Sequence, residues 1–222
     1  MKISKASKLL GLFMFTSLVT ACGGGSHDID NPVSYDAKMT FVNATDDMTD
    51  FYVKKTNSRS RSDSVYEGKY RKGNDVAMND VGGTYNHKYD IAKVRVVVAI
   101  SDSNSNTDQV QVNKRVDDGD KWWVIAWQDG IDKALTIAGR KSNNRADEIN
   151  VRILADDNYD IVVEGDSSSS TQAGQVTGFF SVESCSTGLE VGGNTIDLCD
   201  ANYGQSYLLV VDADGKRLMV RE

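Results

Sequence analysis

Three indoles lie close together, at Trp122, Trp123 and Trp127. An exposed indole on a β-strand can hold a sugar ring by stacking, and a buried one fills a core. Strand alternation puts Trp123, Ile125 and Trp127 on one face and Trp122, Val124 and Ala126 on the other, so the run is apolar on both sides, which favours burial. A second set is cationic. Lys54, Lys55, Arg59, Arg61, Lys69, Arg71 and Lys72 fall within 19 residues, opposed by only Asp63 and Glu67. On an acidic chain such a stretch could meet head-group phosphates or an acidic partner, with Lys54, Lys55, Arg59 and Arg61 the first contacts. Its serine-rich middle also fits a solvated hairpin tip. A third set is acidic: Asp46-Asp47, Asp117-Asp118-Asp120, Asp156-Asp157, and Asp212 with Asp214. Carboxylate-rich turns can hold Ca²⁺, but no full loop signature is present and Asp also serves ordinary turns.

Chemistry that needs an imidazole has little to work with. Only His27 and His87 occur in the chain, so a serine or cysteine nucleophile has one candidate base in the body. Phosphate-binding glycine loops are missing, because Gly23-Gly24-Gly25 follows no strand. No catalytic residue, cofactor or metal site is expected, and the chain reads as a non-enzyme. Cys185 and Cys199, with 13 residues between them, are most simply a disulfide in an oxidising compartment. A zinc or redox site fits poorly without a Cys-x-x-Cys pair.

The N-terminus carries the address. Lys2, Lys5 and Lys8 precede an apolar run from Leu9 to Ala21, with no acid among the first 21 residues, the layout of an export signal. The apolar run is too short to span a bilayer, which takes about 20 residues. It ends Leu18-Val19-Thr20-Ala21-Cys22, which resembles the lipobox of bacterial lipoproteins. That resemblance implies cleavage before Cys22, a diacylglyceryl thioether on its sulfur, and acylation of the new amine. Two or more chains at about 0.8 kcal/mol per buried methylene make a stable anchor. Gly23 rather than Asp after the cysteine implies the outer membrane. Loss of the signal removes three lysines and no acid, which takes the formal charge from −7 to −10. An acidic body of this size disfavours nucleic-acid binding.

These residues must be positioned by strands. After Pro32, short β-rich runs alternate with turn residues, at Ala37–Asn43, Asp50–Lys54, Ile91–Ile100, Thr107–Val116, Lys121–Gln128, Ala134–Ala138, Glu148–Ala155, Asp160–Glu164, Gln175–Glu183, Tyr207–Asp212 and Arg217–Arg221. No sustained helical period appears. Asp117-Asp118-Gly119-Asp120, Asp129-Gly130 and Ala213-Asp214-Gly215 read as hairpin turns. A weak internal repeat aligns Ala44 to Val53 with Ala155 to Val163 when Thr45 is skipped, each with the pattern strand, acidic turn, Asp, strand.

The run Phe41-Val42-Asn43-Ala44-Thr45-Asp46-Asp47, with Thr49-Asp50-Phe51-Tyr52-Val53 and Val116-Asp117-Asp118-Gly119-Asp120-Lys121-Trp122-Trp123-Val124-Ile125-Ala126, resembles the repeats of the DUF4397 domain of bacterial surface and periplasmic proteins. The chain departs from that pattern in lacking the proline of the first turn and in the insert around Thr56 to Ser64. The resemblance implies an immunoglobulin-like antiparallel β-sandwich and no catalytic residues. The expected layout is a signal peptide with its helix over 1–21, a lipidated tether over 22–34, a β-sandwich over 35–142, and a second, smaller β unit with the disulfide over 147–222. The expected role is a lipid-anchored, non-catalytic binding or structural protein of the cell envelope, on either face of the outer membrane, with an envelope protein or glycan as partner. The alternative is a carbohydrate-binding or carbohydrate-processing lipoprotein.

Overall fold

The computed structural model describes residues 34–56, 63–90 and 94–222. The signal helix, Cys22, most of the tether, and Arg59 and Arg61 lie outside them. The regular elements of the described chain are all strands apart from one short 3₁₀ turn, Gly68–Tyr70. Eight strands come first: β1 (Tyr35–Ala44), β2 (Thr49–Lys55), β3 (Arg71–Val76), β4 (Asp80–Tyr89), β5 (Val94–Asp102), β6 (Val110–Val116), β7 (Lys121–Asp129) and β8 (Asp132–Gly139). Eight more follow: β9 (Ile149–Ala155), β10 (Asp160–Val163), β11 (Asp166–Ser170), β12 (Phe180–Val182), β13 (Leu189–Val191), β14 (Asn194–Thr195), β15 (Ser206–Asp212) and β16 (Gly215–Arg221).

The second eight repeat the first. The sheets of the first half run β4-β1-β7-β8 and β3-β2-β5-β6, and those of the second run β12-β9-β15-β16 and β11-β10-β13-β14. Adding eight to each strand of one half gives the other. In both halves the first and seventh strands pair in parallel, β1 with β7 and β9 with β15, while every other strand pair is antiparallel. The short match between Ala44–Val53 and Ala155–Val163 therefore marks equivalent corners, from β1 into β2 and from β9 into β10.

Strand alternation builds three apolar layers between four sheets. Met39, Phe41, Trp122 and Val124 face Phe51, Val53, Val96, Val98 and Ile100 to make the first core. Phe41 and Phe51 stack at 4.9 Å. Ile149, Val151, Ile153, Leu209 and Val211 face Ile161, Leu189, Val191, Ile196 and Leu198 to make the second. The opposite faces of β1 and β7 and of β9, β15 and β16 are also apolar. Val42, Ala44, Trp123, Ile125 and Trp127 meet Leu154, Leu208, Val210, Leu218 and Val220. This third layer explains why β1, β7, β9 and β15 are apolar on both sides, as strands covered on both faces must be. Val33–Glu222 is accordingly one compact unit.

Several elements differ from the sequence expectation. Asp117–Asp120 is not a hairpin but a crossover between sheets, because β6 pairs with β5 whereas β7 pairs with β1 and β8. The Asp118 carboxylate accepts from the Asp36 amide at 3.0 Å, and Gly119, at φ +78°, donates to the Asp36 carbonyl. Thus the turn is tied to β1 rather than to its own flanks. The run Gln175–Glu183 shrinks to β12, preceded by an isolated bridge between Leu154 and Val176. Strands β3, β4, β11, β13 and β14 carried no signal. β4 and β11 are edge strands, and their polar residues, including four consecutive serines in β11, guard an open edge.

Cys185 and Cys199 form a disulfide, and the Leu198 amide donates to the Cys185 carbonyl. The bond secures a stretch whose strands are only two and three residues long. Replacing both cysteines by serine is expected to lower stability by about 3 kcal/mol, the chain-entropy value for a loop of roughly 15 residues. Urea denaturation of the two forms checks it.

Candidate functional site

All three indoles are buried, at 5%, 2% and 8% exposure for Trp122, Trp123 and Trp127. Trp122 lies in the first core, and Trp123 and Trp127 in the layer between the halves. Their polar atoms are spent internally. Trp123 Nε1 donates to Glu222 Oε2 at 2.8 Å, and Trp127 Nε1 to Thr136 Oγ1 at 3.0 Å, which in turn donates to the Gly174 carbonyl at 2.8 Å. Gly174, at φ +70°, has to be glycine, since a Cβ there would come within 2.6 Å of Trp127 Cζ2. The strand offers no face on which a sugar could stack.

Three cations of the stretch form ion pairs, and Lys54 and Lys72 donate to backbone carbonyls. Lys54 is buried, with its ammonium on the Asp63 carbonyl and 5.3 Å from the Tyr70 ring centre. Lys55 pairs with Asp90 at 2.7 Å, and Lys69 with Asp63 at 2.8 Å and Glu67 at 2.9 Å. Arg71 pairs with Asp50 at 2.7 Å. The segment around Val65 lies over the outer face of β2 and β5, where Tyr66, Tyr70 and Val97 pack on Tyr52, Val65 and Ala99. Beside it opens a polar cleft of about 410 Å³ lined by Lys54, Asp63, Tyr66, Gln109 and Gln111 among others.

Two carboxylates, Asp50 and Asp102, are held charged by their surroundings. Burial opposes charge on Asp50, but hydrogen bonds from the Asp75 amide, Arg71 and Ser103 outweigh it and hold the carboxyl below its usual range. The backbone amide and hydroxyl of Ser105, with help from Lys133 and the Asn104 amide, hold Asp102 down at about 2 against its burial. Lys133, itself buried, stands 3.3 Å from Asp102. Asp50 falls within the repeated corner, but its pairing with Arg71, like that of Asp102 with Lys133, appears only in three dimensions.

His87 is the sole histidine among the described residues, and it is a core residue. Only 5% exposed, its ring sits between Tyr85 and Tyr89 at 5.9 and 5.6 Å, and neither ring nitrogen has a hydrogen-bond partner. Burial pushes its pKa below the ordinary 6.5, and the charges of Lys55 and Lys72 add to this. The fold thus favours the neutral ring, so its stabilising contribution is whole above 6.5 and is lost as pH falls below that value. His87→Phe is expected to flatten the part of the stability profile between pH 7.5 and 5.5 that the parent loses, as read from urea midpoints.

The acidic turns serve as turns and ion pairs. Asp120 accepts from the Asp117 amide at 2.7 Å and Asp212 from the Asp214 amide at 2.9 Å. Arg217 pairs with both Asp46 and Asp212. Among the described residues no three His, Cys, Asp or Glu side chains gather in a way that could hold a metal ion.

A second group of cations is scattered in sequence. Lys38 of β1 and Lys121 of β7 are direct neighbours on adjacent parallel strands, and Arg140 and Lys141 follow β8. Together with Ser142 and Glu222 they line a cleft of about 370 Å³. The Arg140 guanidinium lies 4.1 Å from the Trp123 ring centre and donates to the Arg221 carbonyl at 3.2 Å, so its position is fixed. The Glu222 carboxylate, fully buried, is already occupied. It accepts from Arg152 and Trp123, and from the Lys141 amide at 3.0 Å. No protein-family model and no curated protein matches the chain.

Proposed function

We propose that the chain is a lipid-anchored protein of the bacterial cell envelope whose paired β-sandwiches bind or scaffold rather than catalyse. Cys22, set behind a basic start and an apolar run, carries the reading, as the acylated residue of a lipoprotein held at the outer membrane. The Cys185–Cys199 disulfide supports an oxidising compartment. The β-sandwich agrees with the fold that the DUF4397 resemblance implies. A non-catalytic role is supported by His87, whose ring is enclosed by tyrosines and reaches no nucleophile. The carbohydrate alternative loses its main support with the burial of the indoles.

The test is metabolic labelling with palmitate. The parent chain is expected to take up label and to fractionate with outer membranes, and Cys22→Ser to lose both. An unlabelled parent chain, or an unchanged distribution of Cys22→Ser, removes the proposal.

A further inference from the structure

We propose that the cleft formed by Lys38, Lys121, Arg140 and Lys141 binds a phosphate group, carried by a lipid headgroup or by a soluble phosphate ester. This names the ligand class of the binding module proposed above, and it stands independently of the lipid anchor.

The charge arrangement is the first support. None of the four cations makes an ion pair among the described residues, in a chain whose net charge is −7. Lys38 and Lys121 are opposite each other on neighbouring strands, an arrangement that costs stability when the charges are alike and unscreened. Another opposed pair of cations, Arg95 and Arg115, is relieved by Asp117, 3.6 Å from Arg115. In the cleft no carboxylate does this. Asp36 and Asp120 border a neighbouring hollow with Lys38 and Lys121, yet neither pairs with them, and the Asp120 carboxylate is engaged by the Asp117 amide.

Preorganisation is the second. Arg140 lies over the Trp123 ring and is tethered to the Arg221 carbonyl, while the buried Glu222 fixes the backbone of Lys141. A guanidinium held in place presents a planar fork of donors suited to two oxygens of a phosphate. Flexible ammonium groups at Lys38, Lys121 and Lys141 then meet the remaining charge, and the Ser142 hydroxyl adds a polar wall. A phosphate monoester carries about −1.5 to −2 charge and three acceptor oxygens at neutral pH, whereas a single carboxylate would leave most of these cations unanswered.

The test is calorimetric titration of the full chain in uncharged detergent at constant ionic strength. Tripolyphosphate is expected to bind, and Lys38→Gln/Lys121→Gln to weaken it at least about tenfold, a loss in line with two charge-assisted contacts. The same double variant should melt slightly higher than the parent without ligand, because it removes the repulsion between neighbouring lysines. Arg95→Gln/Arg115→Gln changes net charge equally and should bind as the parent does. Tighter binding of short-chain phosphatidic acid than of glycerol phosphate would assign the source to lipid headgroups, and equal binding to the phosphate alone. The proposal is overturned if tripolyphosphate does not bind, if citrate competes equally well, or if the two double variants behave alike. Palmitate labelling and calorimetry report separately, so failure of the anchor leaves this result readable.

Discussion

Glu222→Ala is expected to destabilise the protein by about 3–5 kcal/mol, the range found when one partner of a buried ion pair is removed. The Glu222 side chain is 0% exposed and that of Arg152 5%. The carboxylate accepts from Arg152 Nε at 2.8 Å and from Arg152 Nη2, from Trp123 Nε1 at 2.8 Å and from the Lys141 amide at 3.0 Å. Truncation would leave an indole N–H and a backbone amide without an acceptor and a buried guanidinium with the Gly139 carbonyl alone, its charge uncompensated, and that desolvation dominates the loss. Glu222→Gln, which keeps an acceptor but not the charge, should fall between. Arg152→Met in the Glu222→Ala background should recover part of the loss, because the uncompensated cation disappears while the 2.9 Å bond from Arg152 Nη2 to the Gly139 carbonyl is given up. Urea denaturation of the two single variants and the double gives the coupling energy directly. A cost below about 1 kcal/mol for Glu222→Ala would show that water reaches the pair.

Much of this architecture is readable in residue order, and what escapes does so for definite reasons. β1, β7, β9 and β15 announce themselves as apolar runs because they are covered on both faces. The disulfide follows once Cys22 is set aside as the lipid acceptor, since two cysteines then remain. By contrast β4, with Gly82, Gly83, Asn86 and Lys88, and the serines of β11 are polar because they close sheet edges, and edge strands need no hydrophobic period. The eight-strand repeat leaves only a ten-residue trace in sequence at the acidic corners, and its equivalent strands differ in length, β13 and β14 having three and two residues. Site residues were least legible. Of the cations that stand together in sequence, Lys55, Lys69 and Arg71 are consumed by Asp90, Asp63, Glu67 and Asp50, and Lys54 by the Asp63 carbonyl. Lys38, Lys121, Arg140 and Lys141 meet only because β1 and β7 run in parallel, a pairing that no local pattern encodes.

The layer between the halves should govern cooperativity, and Ile125→Asp tests this. Ile125 is fully buried there, beside Val42 on the neighbouring strand and opposite the apolar face of β9, β15 and β16. A carboxylate at that position has no partner, so it must remain unpaired or be neutralised, at an expected cost of about 4 kcal/mol or more. Its neighbours in sequence, Val124 and Ala126, point the other way into the first core, which keeps its own apolar content, as does the second core. All three tryptophans lie on β7, Trp122 in the first core and Trp123 and Trp127 in the shared layer, so indole emission follows the first half and that layer, whereas far-ultraviolet circular dichroism follows both halves. In the parent the two signals should change together at one midpoint, as a single cooperative unit requires. In Ile125→Asp the fluorescence transition should move to lower urea ahead of the dichroism, because the two sandwiches no longer share the apolar surface that ties their unfolding together. Coincident transitions in the variant would mean that the polar contacts around Arg152, Glu222 and Arg217 suffice to couple the halves without that surface.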